Sequence, residues 1–304
     1  CNADGSAASY DAGKLLRPQL ALLACQAVGG AFAQALPLAA GIQLIHDFSL
    51  IHDDIEDNSD TRRGRTTVWK QWGLAQGINA GDGMFVVAHL SLHRLADAGV
   101  PPAVALEVLR RFDQTILTIC EGQFLDLSYE GRLDIGEGDY LAMISRKTAA
   151  LIAAAAGLGA IVGGASLESA KALFDFGQCL GLAFQIQDDV LGIWGDPEVT
   201  GKPRAADLYQ RKLSLPVVHA LRHADRRDEL ARVYRQEAVG DADVGLALAI
   251  LEQAGSRGYT AGVAETYHHE ALAALDRVQP AGAEGARARD TIREITAGLL
   301  DREA

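Results

Sequence analysis

Two stretches of this chain crowd carboxylates together in a way that calls for a cation. In Ile51-His52-Asp53-Asp54-Ile55-Glu56-Asp57-Asn58, Asp53 and Asp57 stand four residues apart at the end of an apolar run. On a helix, that spacing puts both carboxylates on one side. Like charges so placed cost roughly a few tenths of a kcal/mol, and negative charge at a helix C-terminus also opposes the dipole. A sequence that accepts both penalties is suited to binding cations, and hard oxygen ligands with room for water and phosphate suit Mg²⁺. Arg62-Arg63-Gly64-Arg65 follows directly. Acid followed at once by base reads as metal plus phosphate rather than as a solvated helix end.

The second stretch is Phe184-Gln185-Ile186-Gln187-Asp188-Asp189, followed by Gly195-Asp196-Pro197, Thr200-Gly201-Lys202 and Arg211-Lys212. Two acidic helix ends, each trailed by cations, predict a pseudo-symmetric cleft. Facing carboxylates would grip a diphosphate through shared metal ions, with lysines reaching in from the side. Gly13-Lys14-Leu15-Leu16-Arg17-Pro18 places two more cations ahead of a helix start, where backbone N–H groups favour an anion. Arg146-Lys147-Thr148 opens an Ala-rich helix, and His46 lies seven residues before Asp53 on nearly the same face. In this cationic company His46 is a candidate phosphate donor. His89, His93, His219, His223, His268 and His269 lack such company and receive no role.

The elements that must carry these groups read as helical. Period-two alternation is lacking, whereas Leu106, Leu109, Phe112, Ile116, Ile119, Gln123 and Leu127 recur at threes and fours as a core-facing stripe. Helices are expected near 18–28, 37–56, 79–97, 102–128, 138–163, 167–192, 211–223, 227–237, 242–255, 257–277 and 284–300. Pro18, Pro37 and Pro102 would stand in first turns. Loops are expected at 58–77, 129–137 and 194–209. No linker or repeat divides the chain, so residues 1–304 read as one all-α domain.

Composition excludes several classes. Of 304 residues, 40 are acidic and 28 basic, a net charge of −12 that argues against nucleic-acid binding through clustered cations. The four cysteines form no CxxC pair, which speaks against a zinc site or a disulfide framework and suits a reducing cytoplasm. The chain begins at Cys1 without Met, so its start is read as trimmed rather than as a lipoprotein anchor. The uncharged run Thr148–Leu167 is too rich in Ala and Gly for a membrane span and reads as a closely packed buried helix.

Taken together, the motifs resemble the trans-isoprenyl diphosphate synthases, the family of farnesyl and geranylgeranyl diphosphate synthases. The resemblance rests on G-K-x-x-R-P at Gly13–Pro18, H-x-x-S-L-I-H-D-D-x-x-D at His46–Asp57, and Arg62-Arg63-Gly64. It continues with Lys147-Thr148, F-Q-x-x-D-D at Phe184–Asp189 and G-D-x-x-x-T-G-K-P at Gly195–Pro203. It implies an all-α bundle around a deep apolar cavity, usually a homodimer. Asp53 and Asp57 would be Mg²⁺ ligands with Asp54 beside them, and Asp188 would hold a further Mg²⁺ supported by Asp189. Lys14, Arg17, His46 and Arg63 match an isopentenyl diphosphate pocket. Arg62, Lys147, Lys202 and Lys212 match the groups that hold the allylic diphosphate, while Thr148 and Gln185 match positions near the developing carbocation.

Two departures stand out. Gly192 occupies the third place of the second aspartate motif, and only twelve residues precede Gly13 where members carry further helices. The chain is therefore expected to lack the usual N-terminal helices. A class I terpene cyclase would need no isopentenyl pocket, and a non-catalytic partner subunit would be expected to lose metal ligands, so prenyl elongation is favoured. Successive turns of the Asp53 helix lie ~5.4 Å apart, about one isoprene unit. In the family, an aromatic five places before the first aspartate resembles a floor under the growing tail. Phe48 stands there with Ser49 after it, which points to C20 product with C15 as runner-up.

Overall fold

A computed structural model describes residues 15–197 and 204–300, and these are almost entirely α-helical. The helices are α1 (Leu16–Ala27), α2 (Phe32–Glu56), α3 (Val68–Trp72), α4 (Leu74–His93), α5 (Pro102–Tyr129), α6 (Glu137–Ile144) and α7 (Ala150–Val162). They continue as α8 (Leu167–Trp194), α9 (Ala206–Tyr209), α10 (Leu215–His223), α11 (Arg227–Tyr234), α12 (Asp241–Gln253), α13 (Ser256–Asp276) and α14 (Gly282–Leu300). Three starts share one device: a side chain in the first turn accepts the N–H of the residue just before the helix. Gln34 does so for Ala31 at 3.0 Å, Asp139 for Gly136 at 3.0 Å and Asp243 for Gly240 at 3.1 Å.

The chain divides into two compact units, interleaved in sequence. Of the described residues, the first takes 15–113, 154–170 and 279–289. In it α1 and α4 pack on α2, and Leu20, Leu38, Ile42, Ile45, Leu92 and Phe112 are buried. The small residues of α7 do what their size suggests: a Cβ on Gly159 would overlap the Ala21 carbonyl oxygen. The second unit takes 114–153, 171–197, 204–278 and 290–300. One apolar cluster centres on Ile193, Leu208, Val217, Leu230 and Ile250, and another on Tyr140, Ile144, Ile186, Leu215 and Val218.

Several expectations need correcting. Helix α2 starts at Phe32, so Pro37 lies inside it, and its carbonyl accepts the Ser91 hydroxyl at 2.8 Å. The stretch 58–77 is not all loop. Thr61–Arg62 pairs antiparallel with Arg65–Thr66, and α3 follows. Strands of two residues are too short to show a period. On α5 the buried line is Ala105, Val108, Phe112 and Ile116, while Leu106 and Leu127, the two ends of the expected stripe, are exposed. Apolar residues occupy more than one side of this helix, so the stripe chosen by type left the core at both ends.

The helix expected over 138–163 runs from Glu137 to Val162 and holds a π-helical turn at Ser145–Ala149. Among the described residues, the run Glu137–Val162 is long and apolar enough to cross a membrane, and 61% of its most apolar window is buried within the protein. It is a core helix by that measure.

Candidate active site

The end of α2 is built by the chain folding back on itself. Arg63 and Gly64 have φ of 50° and 72°, the paired positive values of a type I′ turn, and they join the two short strands. The Ser59 carbonyl accepts both the Thr67 hydroxyl at 2.8 Å and the Trp69 indole at 2.9 Å, which staples the ribbon's base. The ribbon thereby delivers Arg62 Nε to Asp54 Oδ1 at 2.7 Å. Asp54 is buried, and burial raises its pKa, with Arg62 offsetting part of the rise and Asp57 adding to it. Asp53 is half-buried and Asp57 exposed. Asp54 is thus committed to the protein, and so is one edge of Arg62.

One helix over, Arg17 Nη1 lies 3.3 Å from His46 Nε2. Burial, then Arg17, Arg63 and Arg62, push His46 down to about 3. The imidazole is neutral at physiological pH and accepts from Arg17 at Nε2, so it does not belong among the cations as its neighbours in sequence suggested. Its capacity to donate lies at Nδ1. Phe48 packs edge-on against His52 at 4.7 Å and Phe85 at 5.4 Å between ring centroids. Ser49 turns inward to the helix, its hydroxyl donating to the His46 carbonyl at 2.8 Å.

In the second unit the same chemistry is set on α8. Asp189 is wholly buried. It accepts the Tyr140 hydroxyl, the Leu215 N–H at 3.2 Å and the Gln185 amide at 3.3 Å, and Lys212 Nζ stands 3.9 Å away. Burial raises it to about 6 against the pull of Lys212, Tyr140 and Leu215. Lys212 is itself drawn down by burial, but Asp189, Asp207, Asp126 and Asp188 outweigh this and hold it above its ordinary value. Asp188, next along the helix, is half-buried. The π-helical turn carries Lys147 and Thr148. Lys147 Nζ meets Asp126 Oδ2 at 2.5 Å, and the Thr148 hydroxyl donates to Gln185 Oε1 at 2.9 Å. Such turns recur at functional sites because the extra residue re-aims the side chains. Lys14 and Lys202 lie outside the described residues.

Residues 6–251 match the polyprenyl synthetase family model. The chain belongs to the polyprenyl synthetase family. It is 42% identical over 276 residues to a geranylgeranyl diphosphate synthase of Mycobacterium tuberculosis, covering 90% of this chain and 78% of that one. It is also 35% identical over 305 residues to a (2E,6E)-farnesyl diphosphate synthase of the same species, covering 99% and 82%. The solved polyprenyl synthetase from Streptomyces coelicolor superposes with a TM-score of 0.89 at 38% identity, covering 98% and 88%. Membership supports trans-prenyl transfer, the condensation of isopentenyl diphosphate with an allylic diphosphate. The relatives' names include farnesyl, geranylgeranyl and geranylfarnesyl diphosphate synthases and do not choose between these products.

For a polyprenyl synthetase, the absent third aspartate at Gly192 has a physical cause. A Cβ there would overlap the carboxylate of Asp207, which is itself buried. The space for a side chain there is already taken by the Asp207 carboxylate of α9. Asp126, Tyr140 and Asp207 escaped the reading of the sequence. Each is a lone polar residue within or beside an apolar run, and only Asp126 carried a usable signal, three residues after Gln123.

Among the described residues, the group with the spacing of metal ligands is Glu137, His219 and His223, whose donor atoms lie within 4.8 Å of one another. It contains none of the expected aspartates.

Proposed function

We propose that this polyprenyl synthetase extends an allylic diphosphate with isopentenyl diphosphate in the presence of Mg²⁺, giving chiefly C20 product with C15 as the alternative. The observation that carries the reading is the difference in burial within each aspartate pair. Asp54 and Asp189 are buried, while Asp53 and Asp188, one residue earlier, are half-buried at the same helix ends. Asp53, Asp57 and Asp188 would hold the magnesium, their carboxylate oxygens fitting a hard cation that keeps part of its water shell. That both sets act on one diphosphate belongs to this proposal and rests on the family. Bound magnesium would neutralise charge on the departing diphosphate.

The chain's own groups do the rest. Arg17 and Arg63, with Lys14, bind the isopentenyl diphosphate, and His46 Nδ1–H is a neutral donor beside them. Lys147 and Lys212, with Lys202 and the outer edge of Arg62, hold the allylic diphosphate. Gln185 Oε1 and the Thr148 hydroxyl oxygen face the allylic cation as it forms, supplying dipoles without a nucleophile. Isopentenyl diphosphate then attacks through its double bond, and the proton lost passes to the released diphosphate.

Phe48, backed by Phe85 and His52, is the floor that stops the tail. Exposed apolar side chains on the first unit, Phe32, Leu36, Val86, Val87, Leu90 and Leu106, support assembly as a homodimer. The free thiols of Cys25, Cys120 and Cys179 suit the cytoplasm.

The deciding experiment incubates the protein with dimethylallyl diphosphate, labelled isopentenyl diphosphate and Mg²⁺ and sizes the products. C20 is expected, and Phe48→Ala should lengthen it. Unchanged length in an active Phe48→Ala enzyme would remove Phe48 as the floor, and no elongation by wild type would remove the function.

A further inference from the structure

Glu137 opens α6, and His219 and His223 lie one turn apart on α10. We propose that these three residues form a zinc-type transition-metal site, distinct from the aspartate pairs, that clamps α6 to α10. The trio is equipped as a metal site rather than as a chance meeting of side chains. His219 Nδ1 is 2.9 Å from Ser256 Oγ. With Nδ1–H donating there, the ring is fixed in the tautomer that leaves Nε2 for a metal. Its face stacks on Tyr259 at 4.1 Å between centroids. The same Tyr259 donates its hydroxyl to Glu137 Oε2, which orients the carboxylate and leaves Oε1 as the ligand atom. That Oε1 is buried and accepts no hydrogen bond, the His223 ring standing 3.4 Å away, a costly state for a carboxylate oxygen unless a cation meets it.

One donor–donor distance already has the spacing of a metal site, within a trio whose atoms all lie within 4.8 Å of one another. His223 Nε2 stands 3.4 Å from Glu137 Oε1. Zinc bonds of ~2.05 Å at a tetrahedral angle set neighbouring donors about 3.3 Å apart. Two imidazoles and one carboxylate are the ligands of a zinc-type ion and a poor set for magnesium, which demands oxygens. His223 is exposed on its outer side, so a fourth position is open to water. The loop before Glu137 is tied down as well: the Arg222 guanidinium donates to the carbonyls of Asp134 and Ile135, the latter at 3.2 Å.

The position suggests what the ion does. Tyr140, one turn after Glu137, and Leu215, the first residue of α10, both donate to Asp189. An ion bridging the two helices therefore braces the frame of that buried carboxylate from the opposite end of α10.

The test uses the full-length protein, stripped with chelator and held in excess Mg²⁺ to occupy oxygen-rich sites. Titration with Co²⁺ should give the visible bands of tetrahedral cobalt at one equivalent, displaced by Zn²⁺, and Zn²⁺ should raise the melting temperature. His223→Ala removes an exposed side chain, and Glu137→Gln keeps the shape of its group. Both should melt like wild type without zinc, lose the cobalt bands and bind Zn²⁺ at least about tenfold more weakly. Wild-type affinity in both variants, or no stoichiometric binding by wild type, would overturn the proposal.

Discussion

The ends of α2 and α8 carry the same Asp-Asp sequence and brace it differently. On α2 the second aspartate, Asp54, is paired with a cation, and Arg62 remains partly in water. On α8 the second aspartate, Asp189, is sealed among neutral donors, with the Lys212 ammonium at the edge of contact. In both pairs the first aspartate is left nearer solvent. An Asp-Asp pair on a helix is thus two functions in adjacent residues, since neighbouring side chains point about 100° apart. In the proposed mechanism one faces the ligand, while the other is held by the hairpin on α2 and by the start of α10 on α8.

The largest effect should separate those two functions. Asp53→Ala and Asp188→Ala should each cost about a thousandfold in kcat with melting temperature nearly unchanged, because what is lost is charge on the metal side. If either variant kept a third of wild-type turnover at saturating Mg²⁺, that residue would not be a ligand and the parallel between the pairs would break.

Stability should show the reverse pattern, with an asymmetry set by burial. Asp189→Ala strands the Tyr140 hydroxyl and the Leu215 N–H in the interior, a loss of about 3 kcal/mol or more. Asp54→Ala strands a guanidinium that can still reach water, at about 1–2 kcal/mol. Urea unfolding of the two variants measures the difference. Equal losses would mean that access of the stranded partner to water does not matter here.

The two units should also answer pH in opposite senses. His46 is held near 3, below its unfolded value of 6.5, so the unfolded chain takes a proton that the native state refuses. Its contribution to stability therefore falls as pH drops from 6.5 towards 3. Asp189, raised from 3.8 to about 6, holds its proton more tightly when folded. Its contribution falls as pH rises from about 4 through 6. Measured without metal, His46→Asn should lessen the loss on acidification, and Asp189→Asn should lessen the loss between pH 4 and 6. A His46 ring that titrates near 6.5 by NMR would refute the first half.

What could be read from the sequence follows from what kind of signal each feature leaves. The Asp53–Asp57 and Asp188–Asp189 stretches and the α5 and α8 helices were legible because spacing along one helix encodes them, and Arg62–Arg65 because its cations adjoin in sequence. Features made by residues distant in sequence were not: the Tyr140–Asp189 bond, the Asp126–Lys147 pair, and Asp207 filling the place opposite Gly192. Their partners lie 49, 21 and 15 residues away in the chain. Nor does a lone His announce its charge state. His46 reads as one more cation until its burial and the Arg17 contact are known. His219 and His223, which received no role, matter only once Glu137 is seen beside them.

The smallest expected effect concerns how each region delivers its cation. Both use an arginine with positive φ: Arg63 at 50° beside Gly64 in the hairpin, and Arg211 at 54° just before Lys212. A left-handed residue other than glycine costs about 1–2 kcal/mol, so the chain accepts strain in each place to set the direction of the next segment. In the hairpin the strain is halved by Gly64, at φ 72°, where no side chain would meet a neighbour within 4 Å. Gly64→Ala therefore tests conformation alone, with no clash to confuse it. It should cost about 1 kcal/mol in urea unfolding. It should also loosen the ribbon that presents Arg62 to Asp54, raising KM for the allylic substrate more than it lowers kcat. Lys212 depends on no glycine. If Gly64→Ala instead left stability and KM untouched, the ribbon would not be what brings Arg62 to the aspartate, and the resemblance between the two cation-bearing segments would reduce to sequence alone.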